Sequence, residues 1–553
     1  MPLRLRSALG TAGAIVAATV FLSGCEQLVY QKEPFFNPPP DSVSGFLGYF
    51  NASTQQTTCG QCHSGKQTEW AGTKHSHAWA DLIASGHAQE SCKPCHATDE
   101  LGNSVTVPAG FNVLPDSVYF DVQCEACHGP GANHIKSAES VKPLASIKAD
   151  TGYTNGCSAC HTGSHNPYVD EWVESAHGYN SAFPSESNRD PCQNCHEGRR
   201  GMATALAGLD ARASGMQVDL GVYKEAYEPD SLQPITCAVC HDPHSDANPG
   251  QLRMPVGTTD TTQLCYRCHH RETEPESGSA PRRGPHGAQG GIVLDEEAGW
   301  TPPNWPYTDR ILPTHSTNDR GCAACHVTPY TGTDASGNSV FYTGHLFAAI
   351  PCISQTTGLP EPDSTCSIDQ RYFDGCAVSG CHGSAEAARS AYEVLEARMD
   401  YLTDQLWSDT NKNGVMETTD GGLLPKVLAQ AIAANDSNVI NLYDTTLTAA
   451  EGAIWNAQLA ATDNRPYWFR FSVDGQYSCD PNATSGSTKC PATGSTNTGH
   501  RSSGGGVHNP FLLEALLTET IKAIETEYGV SPSAPIDLTT HMAPPPGLRT
   551  AKR

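Results

Sequence analysis

The sequence predicts a mainly α-helical protein with much irregular loop and little sheet. A short motif, Cys-x-x-Cys-His, recurs eight times between Cys59 and His326, and a ninth copy from Cys376 to His382 is stretched by two residues. Hydrophobic residues make up 38% of the chain, below the roughly 45–50% of typical domains. The 51 glycines and 39 prolines divide the chain into short segments. We therefore expect short helices at the motifs, joined by loops, and a scarce apolar core.

Each motif places two thiols directly before an imidazole. This is the signature of covalent c-type haem attachment, in which the cysteines form thioethers and the histidine binds the iron. Zinc ribbons also use paired cysteines, but they need two pairs per metal and no histidine after each pair. Histidine fills 23 of 553 positions, so eight successive pairs each followed by histidine are not a chance pattern. The motifs therefore predict nine haem c groups, the ninth on a longer and rarer spacer.

The predicted sites are numbered 1 to 9 in chain order. Their attachment cysteines are Cys59 and Cys62, Cys92 and Cys95, Cys124 and Cys127, Cys157 and Cys160, Cys192 and Cys195, Cys237 and Cys240, Cys265 and Cys268, Cys322 and Cys325, and Cys376 and Cys381. Their proximal iron ligands are His63, His96, His128, His161, His196, His241, His269, His326 and His382. The first five motifs start 33, 32, 33 and 35 residues apart. A period this constant indicates an internal repeat, so we expect a chain of stacked haems.

Fourteen of the 23 histidines lie outside the motifs, enough to fill the second axial position of every iron. Nine of these occur in contexts that resemble the distal ligands of multihaem cytochromes: His75, His134, His165, His177, His244, His286, His315, His345 and His508. His77, His87 and His270 are substitutes. An iron with two imidazoles exchanges electrons and has no position for a substrate, and its axial ligands and surroundings set its potential. Only 7 methionines are present, so we expect low-potential, bis-histidine haems and no catalytic residues.

The amino terminus predicts export. Arg4 and Arg6 precede an apolar run over 8–22, which is too short for a membrane span and is typical of a secretory signal. The sequence from Leu22 to Cys25 resembles the lipobox of bacterial lipoproteins, which implies cleavage after residue 24 and acylation of Cys25. An ordinary cysteine near a plain cleavage site is the alternative.

The chain is divided accordingly into four predicted parts. Residues 1–24 are the signal peptide, and 25–50 are the acylated cysteine with a proline-containing tether. Residues 51–382 are the haem domain, and 383–553 form a carboxyl-terminal helical region with a distal-histidine segment. Glu26, instead of the aspartate that retains many lipoproteins at the inner membrane, favours the outer membrane.

The carboxyl-terminal region carries helical patterns and no further motif. An apolar stripe at steps of three and four residues predicts one helix: Ala391, Leu395, Met399, Leu402 and Leu406. Further helices are predicted over 423–434, 449–461 and 510–528. Between the first two lies an EF-hand-like loop whose candidate calcium ligands are Asp409, Asn411, Asn413, the Val415 carbonyl, Glu417 and Asp420. Asp420 replaces the usual bidentate glutamate, and a polar turn is the alternative.

Four more cysteines follow no motif. In an exported protein the simplest pairing is local, Cys352 with Cys366 and Cys479 with Cys490, although three connectivities are possible.

The motifs and distal contexts resemble the multihaem c-type cytochromes of respiratory and metal-reducing bacteria, especially their outer-membrane lipoproteins. The resemblance implies electron relay at or across the outer membrane toward an extracellular acceptor. It also implies partners among periplasmic or outer-membrane redox proteins, a porin-type barrel, and metal or mineral acceptors. The formal net charge of −25 excludes nucleic acid as a favourable partner. The membrane contact is expected through the lipid alone.

Two other functions remain open. A multihaem reductase would act on a small nitrogen or sulfur oxyanion at one open haem. Ammonia-forming nitrite reductases commonly mark that haem with lysine, whereas all nine motifs here end in histidine. The third hypothesis is a subunit of an extracellular cytochrome filament, which a lipid anchor makes less favourable.

Overall fold

The computed structural model describes residues 39–144, 156–178, 190–203, 205–206, 233–257, 262–275, 285–361, 366–377, 381–411, 416–436, 438–440, 445–461, 505–536 and 550–552. Within these ranges the chain is mainly helical with irregular loops, which confirms the predicted fold class. None of the helices described is both long enough and apolar enough to span a membrane. The predicted signal peptide and Cys25 lie outside the described residues.

Short helical turns form at the cysteine motifs. Residues spaced i, i+3 and i+4 lie on one face of a helix, so one turn directs both thiols and the following imidazole to the same side. The turns that overlap the nine motifs are Cys59–Gln61, Glu90–Cys92 with Lys93–His96, Cys124–His128, Gly156–Ala159, Asp190–His196, Cys237–Cys240, Cys265–Arg267, Ala323–His326 and Asp374–Cys376.

Between the motifs run further short helices and 3-10 turns. The α-helices are Ser64–Ala71, Ala78–Ala84, Ala132–Lys136, Tyr168–Glu174, Gly198–Ala203 and Gln289–Leu294. The 3-10 turns are Ala52–Thr54, Lys74–His77, Ser117–Tyr119, Pro249–Gln251, Thr314–Thr317 and Ile368–Gln370. Most of these segments span one or two turns, too short to form isolated helices in water. They therefore depend on tertiary contacts.

Sheet is confined, in the residues described, to four small antiparallel pairs: Tyr49–Asn51 with Gln56–Thr57, Asp309–Ile311 with Thr550–Lys552, Tyr330–Thr333 with Ser339–Tyr342, and Cys352–Ile353 with Pro360–Glu361. The pair beginning at Cys352 lies beside a disulfide between Cys352 and Cys366, which confirms that predicted pairing. Cys479 and Cys490 lie outside the described residues.

The carboxyl-terminal helices are Ala385–Leu406, Leu424–Ala434, Ala449–Ala460, Gly505–His508 and Pro510–Tyr528. Apart from the four-residue helix Gly505–His508, these helices begin and end within a residue or two of the predicted positions. The exception is the start of the first helix. The ends are set by local chemistry: Thr448 and Glu451 form a capping box. At the other end of a helix, Asn435 adopts the left-handed conformation that terminates it.

These helices enclose the main apolar core of the described chain. Leu402, Leu406, Leu512 and Ile521 are fully buried, and the core extends to Ile292 and Ile311 in the preceding region. The stripe predicted for the first helix is correct from Leu395 onward. It is wrong at Ala391, which is exposed, whereas Ala388, three residues earlier on the same helix, is buried.

Candidate haem-binding sites

The motif turns are closed by one recurring hydrogen bond. The backbone N–H of the motif histidine donates to the carbonyl of the first cysteine, as in His63 to Cys59 at 3.0 Å and His326 to Cys322 at 2.9 Å. In the stretched ninth motif His382 N–H still donates to Cys376 O, at 3.3 Å. The same donor and acceptor therefore meet in the stretched motif as in the other motifs. Site 9 has the same cysteine-to-histidine connection as the others.

Eight motif histidines each face one predicted distal histidine. In every pair the two ring centres are 6.0 to 6.3 Å apart. The pairs are His63 with His134, His128 with His244, His161 with His75, His196 with His286, His241 with His345, His269 with His177, His326 with His508 and His382 with His315. Rings in direct van der Waals stacking would be closer.

This spacing fits one metal ion between the two rings. Two metal–imidazole bonds of about 2.0 Å each, with half a ring on either side, span roughly the observed separation. Two of these rings are held in the neutral form, because burial lowers the pKa of His75 to about 4 and that of His177 to about 3. A neutral imidazole has the lone pair that a metal needs. The chain can therefore hold haem iron at eight sites between paired histidines.

The outer ring nitrogens of these histidines are held by the backbone. Nδ1 of His241 lies 2.6 Å from Gly250 O, and Nδ1 of His326 lies 2.9 Å from Phe347 O. His134 makes the same contact with Val141 O at 2.7 Å. Such bonds fix the ring orientation and leave Nε2 for the metal.

Sulfur contacts between different motifs show which sites are neighbours. Five pairs of sites have cysteine side chains close enough to interact with each other: Cys59 and Cys124 (sites 1 and 3), Cys95 and Cys160 (2 and 4), Cys157 and Cys237 (4 and 6), Cys195 and Cys268 (5 and 7), and Cys265 and Cys322 (7 and 8). Electrostatic interactions join three more pairs: Cys127 and Cys157 (3 and 4), Cys240 and Cys265 (6 and 7), and Cys325 and Cys381 (8 and 9).

Together these contacts link all nine attachment sites. One continuous series runs 1-3-4-6-7-8-9, and sites 2 and 5 branch from sites 4 and 7. The order in space therefore differs from the order in sequence.

Comparisons with known proteins agree with this geometry. The family model for the doubled CXXCH motif matches residues 233–274, and that for cytochrome c554 and c-prime matches residues 58–129. Multiheme cytochrome MtrA of Shewanella baltica is 24% identical over 302 residues, which cover 49% of this chain and 79% of MtrA. The C-type polyheme cytochrome OmcB of Geobacter sulfurreducens is 22% identical over 356 residues, 58% of this chain and 44% of OmcB.

The chain is a multihaem c-type cytochrome. Among solved structures, the outer cell wall cytochrome OcwA is similar to this cytochrome with a TM-score of 0.42 and 17% identity, over 78% of this chain and 75% of OcwA.

Site 2 of the cytochrome differs from the other eight. His96 donates its Nδ1 proton to Ala78 O at 2.9 Å, as a proximal ligand should. Among the described residues, however, no histidine ring faces it at the spacing of the eight pairs. His165, the ninth predicted distal ligand, is exposed and is not brought against His96. It lies in a loop that follows motif 4, where its side chain is exposed to solvent.

Several predicted site residues lie outside the described part of the chain. The side chain of Cys192 lies outside the described part of the chain, as do Asn413 and Val415 of the EF-hand-like loop. In the described part of that loop Asp420 accepts hydrogen bonds from Trp407 Nε1 and Glu417 N, both at 3.0 Å. Asn411 donates to Glu417 at 2.7 Å. These candidate ligands therefore bond to one another, and calcium binding stays a prediction.

Proposed function

We propose that this cytochrome conducts electrons along nine covalently attached haems, eight of them held between paired histidines. The observation that carries the proposal is the unbroken series of neighbouring attachment sites with paired imidazoles. An iron closed on both sides by imidazole has no coordination position for a substrate, so its role is to accept and pass on an electron.

We further infer where the electrons go. The lipobox-like sequence at Cys25 supports a lipid anchor at the outer membrane, and Glu26 favours that membrane over the inner one. Electrons then pass from periplasmic donors to an acceptor or partner cytochrome at or beyond the outer membrane. The net charge of −25 favours basic redox proteins or metal cations as partners.

The number of haems and the anchor can be tested together. Intact mass spectrometry of the mature protein, combined with haem staining, is expected to give the chain from residue 25 onward with nine haem masses and lipid on Cys25. A Cys25→Ser variant is expected to keep all nine haems and to move from the membrane fraction to the soluble fraction. Fewer than nine haems would contradict the count, and a Cys25→Ser variant still in the membrane fraction would contradict the anchor.

Site 2 supports a second candidate function, reduction of a small nitrogen or sulfur oxyanion. His96 faces no described imidazole, and the site lies at a branch tip next to site 4, through which electrons can arrive. Carbon monoxide added to the reduced protein is expected to bind one haem per molecule. A His134→Ala variant, which opens site 1, provides the control and should bind two. Wild-type protein that binds no carbon monoxide while the variant binds one would exclude an open site 2 and leave pure electron transfer.

A further inference from the structure

His345, the distal histidine facing His241 at site 6, has an unusual hydrogen-bond partner. Its Nδ1 lies 2.9 Å from the hydroxyl oxygen of Thr343, where the site 1, 2 and 8 histidines described above have a backbone carbonyl. The Thr343 hydroxyl in turn donates to Glu171 Oε2 at 2.6 Å. A ring nitrogen that binds iron carries no proton, so the proton of His345 is on Nδ1 and is donated to Thr343. The three groups form a relay that ends on a carboxylate.

The carboxylate of Glu171 is positioned for this relay by the backbone. The N–H groups of Thr343 and His345 donate to it at 2.6 and 2.8 Å. Gly344 between them has a φ of +92°, which lets neighbouring N–H groups converge on one anion. A Cβ at Gly344 would lie 2.6 Å from the carbonyl carbon of Val327. The backbone around residue 344 therefore requires glycine, and it presents two N–H groups to the Glu171 carboxylate.

The negative charge in this relay is not neutralised by a neighbouring cation. No lysine or arginine in the described ranges forms an ion pair with Glu171. At site 3, by comparison, the Asp242 carboxylate lies 3.2 Å from His244 Nδ1, but Arg253 binds the same carboxylate at 3.3 Å. Glu171 therefore ends the relay from His345 without an arginine or lysine partner in the described ranges, whereas Asp242 shares its carboxylate between His244 and Arg253.

We propose that Glu171 is a positioning residue for site 6 which, through Thr343, orients His345 and lowers the reduction potential of the iron between His345 and His241. A hydrogen-bonded carboxylate makes an imidazole ligand more basic, and a more basic ligand stabilises ferric over ferrous iron. Site 6 lies between sites 4 and 7 on the continuous series. The relay thus places a low-potential step in the middle of the electron path. The inference rests on the proposed electron-transfer function.

Four variants of the full nine-haem protein test it. Glu171→Gln keeps an acceptor for the loop but removes the charge, and Thr343→Val breaks the relay while leaving Glu171 in place. Thr343→Ser keeps the hydroxyl. Glu174→Gln removes an equal charge from an exposed position on the same helix and is the matched control. The measurement is a spectroelectrochemical titration of haem absorbance, with electron paramagnetic resonance of the oxidised protein.

In Glu171→Gln and Thr343→Val, the midpoint potential at which about one ninth of the haem absorbance changes is expected to rise. The electron paramagnetic resonance signal of one low-spin haem should change as well. Thr343→Ser and Glu174→Gln should leave all midpoints unchanged. Unchanged midpoints in Thr343→Val, or equal shifts in Thr343→Ser, would overturn the role of Glu171. The other eight-ninths of the absorbance tests the proposed electron-transfer function separately. That function would be contradicted only if those haems were not reduced and reoxidised reversibly.

Discussion

The carboxyl-terminal helices and the haem-attachment region of this cytochrome are stabilised by different means. The helices between residues 385 and 528 pack their leucines and isoleucines into one buried apolar core. In the described residues from 39 to 382, apart from residues 288–311 that join that core, the largest apolar cluster has five buried members: Phe46, Ala97, Ala109, Phe111 and Tyr119. Two smaller apolar clusters, around Val239 and around Trp172, together with polar anchors and paired imidazoles, hold the rest. This contrast indicates that haem is a main structural component of the attachment region, whereas the carboxyl-terminal region has its own apolar core and contributes His508 to haem site 8.

The largest expected effect follows from removing the haems. The full chain, produced in the cytoplasm where no haem is attached, is expected to lose the fold around the motifs, because binding free energy there contributes to folding free energy. The carboxyl-terminal helices should remain protected. Limited proteolysis with mass spectrometry of the fragments measures this, and the haem-loaded protein is the control. Equal resistance in both regions of the haem-free chain would break the comparison.

A smaller effect is expected from a cavity in the apolar core. Leu402→Ala removes a fully buried side chain and should destabilise the carboxyl-terminal helices by about 2–5 kcal/mol. Val394 lies on the same helix and is 63% exposed, so Val394→Ala should change stability by less than about 0.5 kcal/mol. Chemical denaturation followed by circular dichroism gives both values. Both substitutions should leave the reduced haem spectrum unchanged, and a haem change in Leu402→Ala would show that the regions are coupled.

The most local expected effect concerns a polar anchor of the haem region. Glu125, inside motif 3, accepts backbone hydrogen bonds from Leu47, Gly48 and Gly131. Burial raises the pKa of Glu125 from 4.5 to about 7. The folded state therefore binds this proton more tightly than the unfolded state, so its contribution to stability is present below about pH 4.5 and is lost as pH rises to about 7.

Hydrogen exchange at Leu47 and Gly48 measures this contribution. Protection in wild type is expected to fall across that pH window by up to about 1.4 kcal/mol per unit, and Glu125→Gln should remove that slope. The exposed Glu139 gives the matched control, Glu139→Gln. An identical slope in wild type and Glu125→Gln would assign the pH dependence to other groups.

Local patterns in the sequence predicted most of the fold and much of the candidate site. Motif turns, helix ends and the pair Cys352–Cys366 depend on residues close together in the chain, so spacing alone indicates them. Local contexts marked the eight non-motif histidines that face a motif histidine, but the pairing of His75 with His161 needs tertiary structure. His165 had a suitable context and no suitable position. Glu171 was missed because its partner Thr343 is 172 residues away and no local pattern marks either residue.

The central claim is that paired imidazoles hold eight of the nine irons in one connected series. The most direct test is to count the low-spin and high-spin irons of the oxidised nine-haem protein by electron paramagnetic resonance and near-infrared magnetic circular dichroism. We predict eight low-spin irons with two imidazole ligands each and one high-spin iron at site 2. Several high-spin irons, or low-spin irons whose second ligand is not imidazole, would contradict the account.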